Sequence, residues 1–222
     1  MRCPLPFTLD WKQFLPLRVA THEMRDTLRL SDGTPVTLRY THADDGELIQ
    51  ELVRGLSLTS RYQRFFIPVR ELAPEMIARF TSNAAHDAVT LLATIRHGER
   101  EVAIAMAQYV ADPYPDRCDF AVVVDDAWQR NGLGRKLVES LACIAHAAGI
   151  ERIEGDVLAD NEPMLRLMLD MGFLLMPNDH GATLQKVSKQ LGAPESKCSP
   201  LLELAAPSKP GPIVDREMPS SI

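Results

Sequence analysis

Between the strand-forming run Phe120 to Val124 and the apolar-periodic segment that begins at Leu137, the chain reads Gln129-Arg130-Asn131-Gly132-Leu133-Gly134-Arg135-Lys136. Two glycines stand two residues apart, with bases on both sides, where a strand hands over to a helix. The chemistry on offer is anion binding. A helix N-terminus carries unpaired N–H groups and a partial positive charge. Glycine lets the backbone approach a ligand with no Cβ in the way. Amides from 129 to 136 could surround a phosphate or pyrophosphate, with Arg130, Arg135 and Lys136 adding charge. The same spacing also fits a glycine-rich connection whose bases are solvated. Two known phosphate motifs are excluded. There is no GxxxxGK[ST], and Gly132-x-Gly134 lacks a third glycine because position 137 is Leu.

Several elements must position that turn. "LRLSDGTPVTLRY" reads as strand, Asp-Gly turn and strand. Leu48, Ile49, Leu52, Val53 and Leu56 share one helix face. "SRYQRFF" is a short second helix, and "APEMIARFTSN" a third with Pro74 near its first turn. "AVTLLATIR", "EVAIAMAQYV" and "CDFAVVV" form a meander, and the continuously apolar Phe120–Val124 predicts burial on both faces. A helix follows from Leu133 to Ala148, with Leu137, Val138, Leu141 and Ala145 inward, and Gly149 stops it. "RIEGDVL" is a strand, and "DNEPMLRLMLDMGF" a helix capped by Asp160 or Asn161. "FLLMP" and "ATLQKVS" close the sheet. The expected layout is an N-terminal extension (1–33), a folded domain (34–190) and a Pro/Ser-rich, disordered tail (191–222).

The whole-chain numbers bound the rest. At 222 residues and 45% hydrophobic, the chain supports one sizeable core. A net charge of −6 argues against non-specific binding to nucleic acid or an anionic membrane, so any basic site is local. No apolar run approaches the roughly 20 residues a bilayer needs. Cys3, Cys118, Cys143 and Cys198 show no CxxC or Cys/His ligand spacing. They read as reduced thiols in a cytoplasmic protein, with no metal.

Taken together, "FAVVVDDAWQRNGLGRKLVESLACIAHAAGIERIEGDVLADNEPMLRLMLDMGF" resembles the coenzyme-binding core of the GNAT superfamily of N-acetyltransferases. The family's Q/R-x-x-G-x-G/A is matched by Gln129 to Gly134, and its later half by Asn161 and Gly172-Phe173. "SRYQRFF", "PVREL" and "VLADNEPMLRLM" add a narrower likeness to the acetyltransferase domain of bacterial Pat-type protein lysine acetyltransferases. The resemblance implies an α/β (α+β) fold with a mixed, mostly antiparallel sheet of six to seven strands, helices on both faces and a splayed cleft.

It also implies acetyl-CoA as cosubstrate. Backbone groups of Val122, Val123 and Val124 would pair with its pantetheine arm. Its pyrophosphate would meet Gln129, Arg130, Asn131, Gly132, Leu133, Gly134, Arg135 and Lys136. Asn161 would contact the arm, or be a helix cap only. Asp119 takes the place of the Pat-type glutamate base, one methylene shorter, and could act through a bridging water. Glu154 and Asp156, which share one strand face, are the runners-up. The family's acid is a tyrosine seven residues after its asparagine, and here that residue is Met168. Arg61 and Arg64 are either solvated or face an acidic acceptor, and Phe65 and Phe66 read as packing. The implied activity is acetylation of protein lysines by a monomer or weak homo-oligomer. The alternatives are a small amine or amino acid as acceptor, or an acyl-CoA-binding sensor with little turnover.

Overall fold

The computed structural model describes residues 25–82, 88–113, 116–177 and 183–192. Eight strands form one sheet: β1 (Arg25–Arg29), β2 (Pro35–Tyr40), β3 (Ala88–His97), β4 (Arg100–Ala111), β5 (Arg117–Val124), β6 (Arg152–Leu158), β7 (Leu174–Met176) and β8 (Leu184–Gln190). Their spatial order is β1-β2-β3-β4-β5-β6-β8-β7. Five helices accompany them: α1 (Gly46–Gly55), α2 (Leu58–Phe65), α3 (Pro74–Thr81), α4 (Leu133–Ala147) and α5 (Glu162–Asp170). The fold is the mixed α/β arrangement expected, with eight strands among the described residues rather than six or seven. One of them, β1, lies inside the stretch expected as an N-terminal extension, yet it pairs along β2 from Arg25↔Arg39 to Arg29↔Pro35. The expected tail lies outside the described residues from 193 onward.

Period-two alternation splits the core between the two sheet faces. On one face α4 and α5 bury Leu137, Val138, Leu141 and Met168 against Leu38, Leu91, Tyr109, Phe120 and Ile153. On the other, α1 and α3 bury Ile49, Leu52, Val53 and Phe80 against Leu92, Met106 and Val123. The periodicity of α1 and α4 placed these inward residues correctly.

A buried charge network ties the two ends of the helical layer to the sheet. Arg39, 2% exposed, donates to both oxygens of Asp45 at 2.7 and 2.8 Å and to Glu101 at 2.9 Å. Thr94 and the His42 backbone N–H complete those carboxylates. A second clamp starts after β5. Asp126 accepts from Ser57 N–H, Ser57 Oγ and Ser60 Oγ at 2.7–2.8 Å, fixing the start of α2 over the end of β5.

The expectation for the cysteines holds only in part. Cys118 is a free, buried thiol, but Cys143 is disulfide-bonded, so reduced thiols no longer describe all the cysteines. Cys3 and Cys198 lie outside the described residues.

Candidate active site

One junction in the sheet differs from the others. Every neighbouring pair is antiparallel except β5 and β6, which are parallel and pair through only Arg117↔Arg152, Cys118↔Ile153 and Asp119↔Glu154. On its other side β5 stays paired with β4 all the way to Ala105↔Val124. Beyond Asp119 the β6-side edge of β5 is therefore left without a strand partner. The residues at the fork explain the parting. Gly155 approaches Phe120 so closely that a Cβ there would lie 2.8 Å from the ring and 3.1 Å from the Phe120 carbonyl oxygen. The Phe120 ring in turn packs on Phe173 at 5.4 Å. The Phe120 ring thus packs over the Gly155 backbone where the two strands part.

The parting opens into a cleft of about 1110 Å³. Its walls come from both faces of the sheet: Arg64, Phe65 and Phe80 on one, Gly134, Met164 and Leu167 on the other, with Asp119 to Val124 between them. This corrects the expected double-sided burial of β5. Phe120 and Val123 are buried, but Ala121, Val122 and Val124 are only half-buried because they line the cleft.

The glycine turn forms the end of the cleft beyond Val124. Arg130 and Gly132 both have positive φ, 63° and 81°. For Arg130 this left-handed geometry costs about 1–2 kcal/mol. Gly132 is the N-cap of α4 and supplies no side-chain cap. The first-turn amides of α4 therefore have neither an intrahelical nor a capping partner. Helix α5 differs: Asn161 Oδ1 accepts from Met164 N–H at 3.3 Å. Gln129, Arg130, Gly132, Gly134, Arg135 and Asn161 line the cleft; Asn131, Leu133 and Lys136 do not. The Leu133 side chain is in the core. Gln129 spends its side-chain amide on the protein, donating to the Val124 carbonyl at 3.1 Å and to Ser60 Oγ at 3.2 Å.

At the opposite end stands Asp119. It lies with Glu154 and Asp156 on the face occupied by α1–α3, opposite Cys118 and Phe120. Asp119 and Asp156 line the cleft, and Glu154 does not. Glu154 accepts from Ser188 Oγ at 3.1 Å. Lys186 Nζ sits 3.9 Å from Glu154 and 3.8 Å from Asp156. Desolvation raises the Asp119 carboxyl above the ordinary carboxylate range; Lys186 opposes this, while Asp156, Glu154 and Asp112 reinforce it. A raised carboxylate is a stronger base.

Comparison with known proteins assigns the family. Residues 56–173 match the model of the acetyltransferase (GNAT) family. The chain is a GNAT acetyltransferase. It is 28% identical to the GNAT domain of S. lividans PAT, covering 75% of this chain and 97% of that one with a TM-score of 0.69. An acetyltransferase of Pseudomonas aeruginosa is 23% identical over 65% of this chain and 78% of its own. A putative acetyltransferase from Salmonella typhimurium, solved with its cofactor acetyl-CoA, shares the fold at 19% identity and a TM-score of 0.56, over 72% and 98% of the two chains. Acetyl-CoA is the cosubstrate of this GNAT enzyme. The uncapped first turn of α4, beside cationic Arg130 and Arg135, fits a diphosphate, and the unpaired edge of β5 fits an amide-bearing arm.

Within the GNAT site, two features bear on residues that the sequence singled out. Met168, at the position of the family tyrosine, is wholly buried in the core. The α5 residues that do face the cleft, Pro163, Met164 and Leu167, carry no transferable proton. The second feature is Arg64. It lines the cleft rather than lying in solvent, and its Nε is buried with no hydrogen-bond partner. Phe65 packs partly against the core as expected, whereas Phe66 is half-buried, caps α2 at φ 59° and lines the cleft.

Proposed function

We propose that this GNAT enzyme acetylates lysine side chains of proteins, with Asp119 as the general base. The observation that carries the reading is the openness of the sheet beside Asp119. Helix α1 covers β4, α2 covers β5, and α3 packs on α1. Further along the same face, Asp156, Leu174 and Met176 are exposed. A lysine at the end of its four-carbon stem can reach Asp119 across that face while the rest of its protein stays outside. A small amine would be better served by a closed pocket around a deep acid. The S. lividans PAT domain, which is similar along most of its length, supports the same reading.

The mechanism follows from the amine. A lysine pKa of about 10.4 keeps it protonated and non-nucleophilic at neutral pH. Asp119, directly or through one water, takes that proton. The free nitrogen attacks the thioester carbonyl, the N–C bond forms, the C–S bond breaks, and the nitrogen sheds its extra proton to solvent as the amide forms. Backbone N–H groups on the unpaired edge of β5 receive the oxyanion. Gly132, Gly134, Arg135 and the neighbouring turn hold the diphosphate, and Val122 to Val124 align the arm. A thiol with a pKa of about 8.5 leaves readily as the anion, so solvent can return its proton in place of the missing tyrosine.

The test is purified chain, acetyl-CoA and a deacetylated lysate, followed by thiol release and mass spectrometry of lysines. Acetylation of protein lysines above the no-enzyme background is expected. Turnover only with small amines would replace the acceptor. Binding of acetyl-CoA without thiol release over a broad acceptor panel would favour the sensor reading.

A further inference from the structure

The cleft holds a cation that this mechanism does not use. Arg64 makes no ion pair or hydrogen bond among the described residues. Its guanidinium carbon lies 5.1 Å from the Phe65 ring centre and 5.7 Å from that of Phe80. Burial pushes it down to about 10 from its ordinary 12.5, so it stays charged at neutral pH. Arg39, the fully buried arginine of the sheet, has two carboxylates, and Arg61, whose Nε is also buried without a partner, donates from Nη1 to the Arg70 carbonyl. Arg64 is half-buried as a residue, but its Nε has lost water without gaining a partner, and a guanidinium so placed beside two rings and facing a cleft gains from the arrival of an anion.

Its position along the cleft can be traced. Thr41 Oγ1 donates to the Phe80 carbonyl at 2.7 Å, and Thr41 N–H to the Thr90 carbonyl at 3.1 Å. Thr90 opposes Gln108, and Gln108 opposes Ala121. Arg64 over Phe80 therefore stands near the Ala121 row. Ala121 is two residues from Asp119 on the same face, about 7 Å along the strand. The diphosphate turn is at the other end, beyond Val124. Arg79, on α3, also lines this half of the cleft and is exposed.

We propose that Arg64 is the cation of a carboxylate subsite between the acyl position and the acceptor, and that the enzyme selects reactants carrying a carboxylate there. The planar fork of arginine matches a carboxylate with two parallel hydrogen bonds. Two sources offer that group: the far end of a dicarboxylic acyl chain on the thioester, or an acidic side chain beside the acceptor lysine. The inference rests on the transferase reading, and it adds a preference which that reading does not contain.

The experiment has two arms, each run with the intact chain and with Arg64→Met, which keeps an apolar stem, and Arg64→Lys, which keeps the charge without the fork. Calorimetry compares succinyl-CoA with acetyl-CoA. Steady-state kinetics with acetyl-CoA compares two lysine peptides that differ only by Glu or Gln beside the lysine. A preference of about tenfold or more for the carboxylate-bearing member is expected in one arm, corresponding to about 1.4 kcal/mol. It is expected to vanish in Arg64→Met and to persist in part in Arg64→Lys. The arm that shows it identifies the source. No preference in either arm of the unmodified chain overturns the inference, as does a preference that survives Arg64→Met. A chain that binds neither thioester and turns over neither peptide sinks the transferase reading instead. The subsite is then judged by the Arg64 Nε–H resonance during a succinate titration, where a saturable shift supports it and an unmoved resonance ends it.

Discussion

Asp119 is one methylene shorter than the glutamate of the Pat-type likeness, and its surroundings compensate in part. Desolvation and the nearby Asp156, Glu154 and Asp112 make its proton harder to remove, against the pull of Lys186. The sign for stability follows. Well below pH 4 the carboxyl is protonated in both folded and unfolded chains. As pH rises above the unfolded pKa of about 3.9, the unfolded chain loses its proton first and folding stability falls; above the raised folded value the loss is complete. Asp119→Asn removes this cost. Its melting temperature at pH 7 is expected to equal or exceed that of the unmodified chain, while kcat/KM drops by about 10²–10⁴. The acid limb of the kcat/KM profile should have its midpoint above 3.9 and disappear in the variant. Full activity in Asp119→Asn would remove the residue from the mechanism. Its register beside Glu154 was not legible in the sequence, because a pairing between distant strands leaves no local pattern.

At the scale of elements, the fork between β5 and β6 depends on one missing side chain. Gly155→Ala would set a Cβ against both the ring and the carbonyl of Phe120. Overpacking of this kind costs about 1–3 kcal/mol. Phe120 has little room to yield because Phe173 backs it. The expected result is a lower denaturation midpoint together with weakened acetyl-CoA affinity, since the strand that must yield is the one lining the cleft. A variant with unchanged stability and unchanged affinity would show that the fork does not depend on this contact. Much at this scale could be read in advance. The strand-turn-helix around Gly132, the inward stripe of α4 and the cap of α5 all follow from short-range spacing. The unbroken apolar run of β5 misled, since a wall of a ligand cleft has the same composition as a buried strand. An isolated glycine inside a strand does signal a close backbone approach, and Gly155 is such a glycine.

For the molecule as a whole, the cleft's two-sided lining sets how the reactants meet. The glycine turn and α5 stand on one face of the sheet, and Asp119, Arg64 and the exposed sheet surface stand on the other. On the proposed assignment of these residues, the coenzyme and the amine approach from opposite sides of one opening. Among the described residues, no side chain at the fork is fit to carry the acetyl group between them. Cys118 points into the core, and its thiol is pushed up to about 12 by burial and by Asp119 and Glu154, so it is not a thiolate at neutral pH. An enzyme without a relay must hold both reactants simultaneously. Initial velocities plotted in double-reciprocal form at several fixed donor concentrations should give lines that intersect. Parallel lines, with labelled acetate recovered on the protein, would reveal a hidden carrier and a two-stroke cycle.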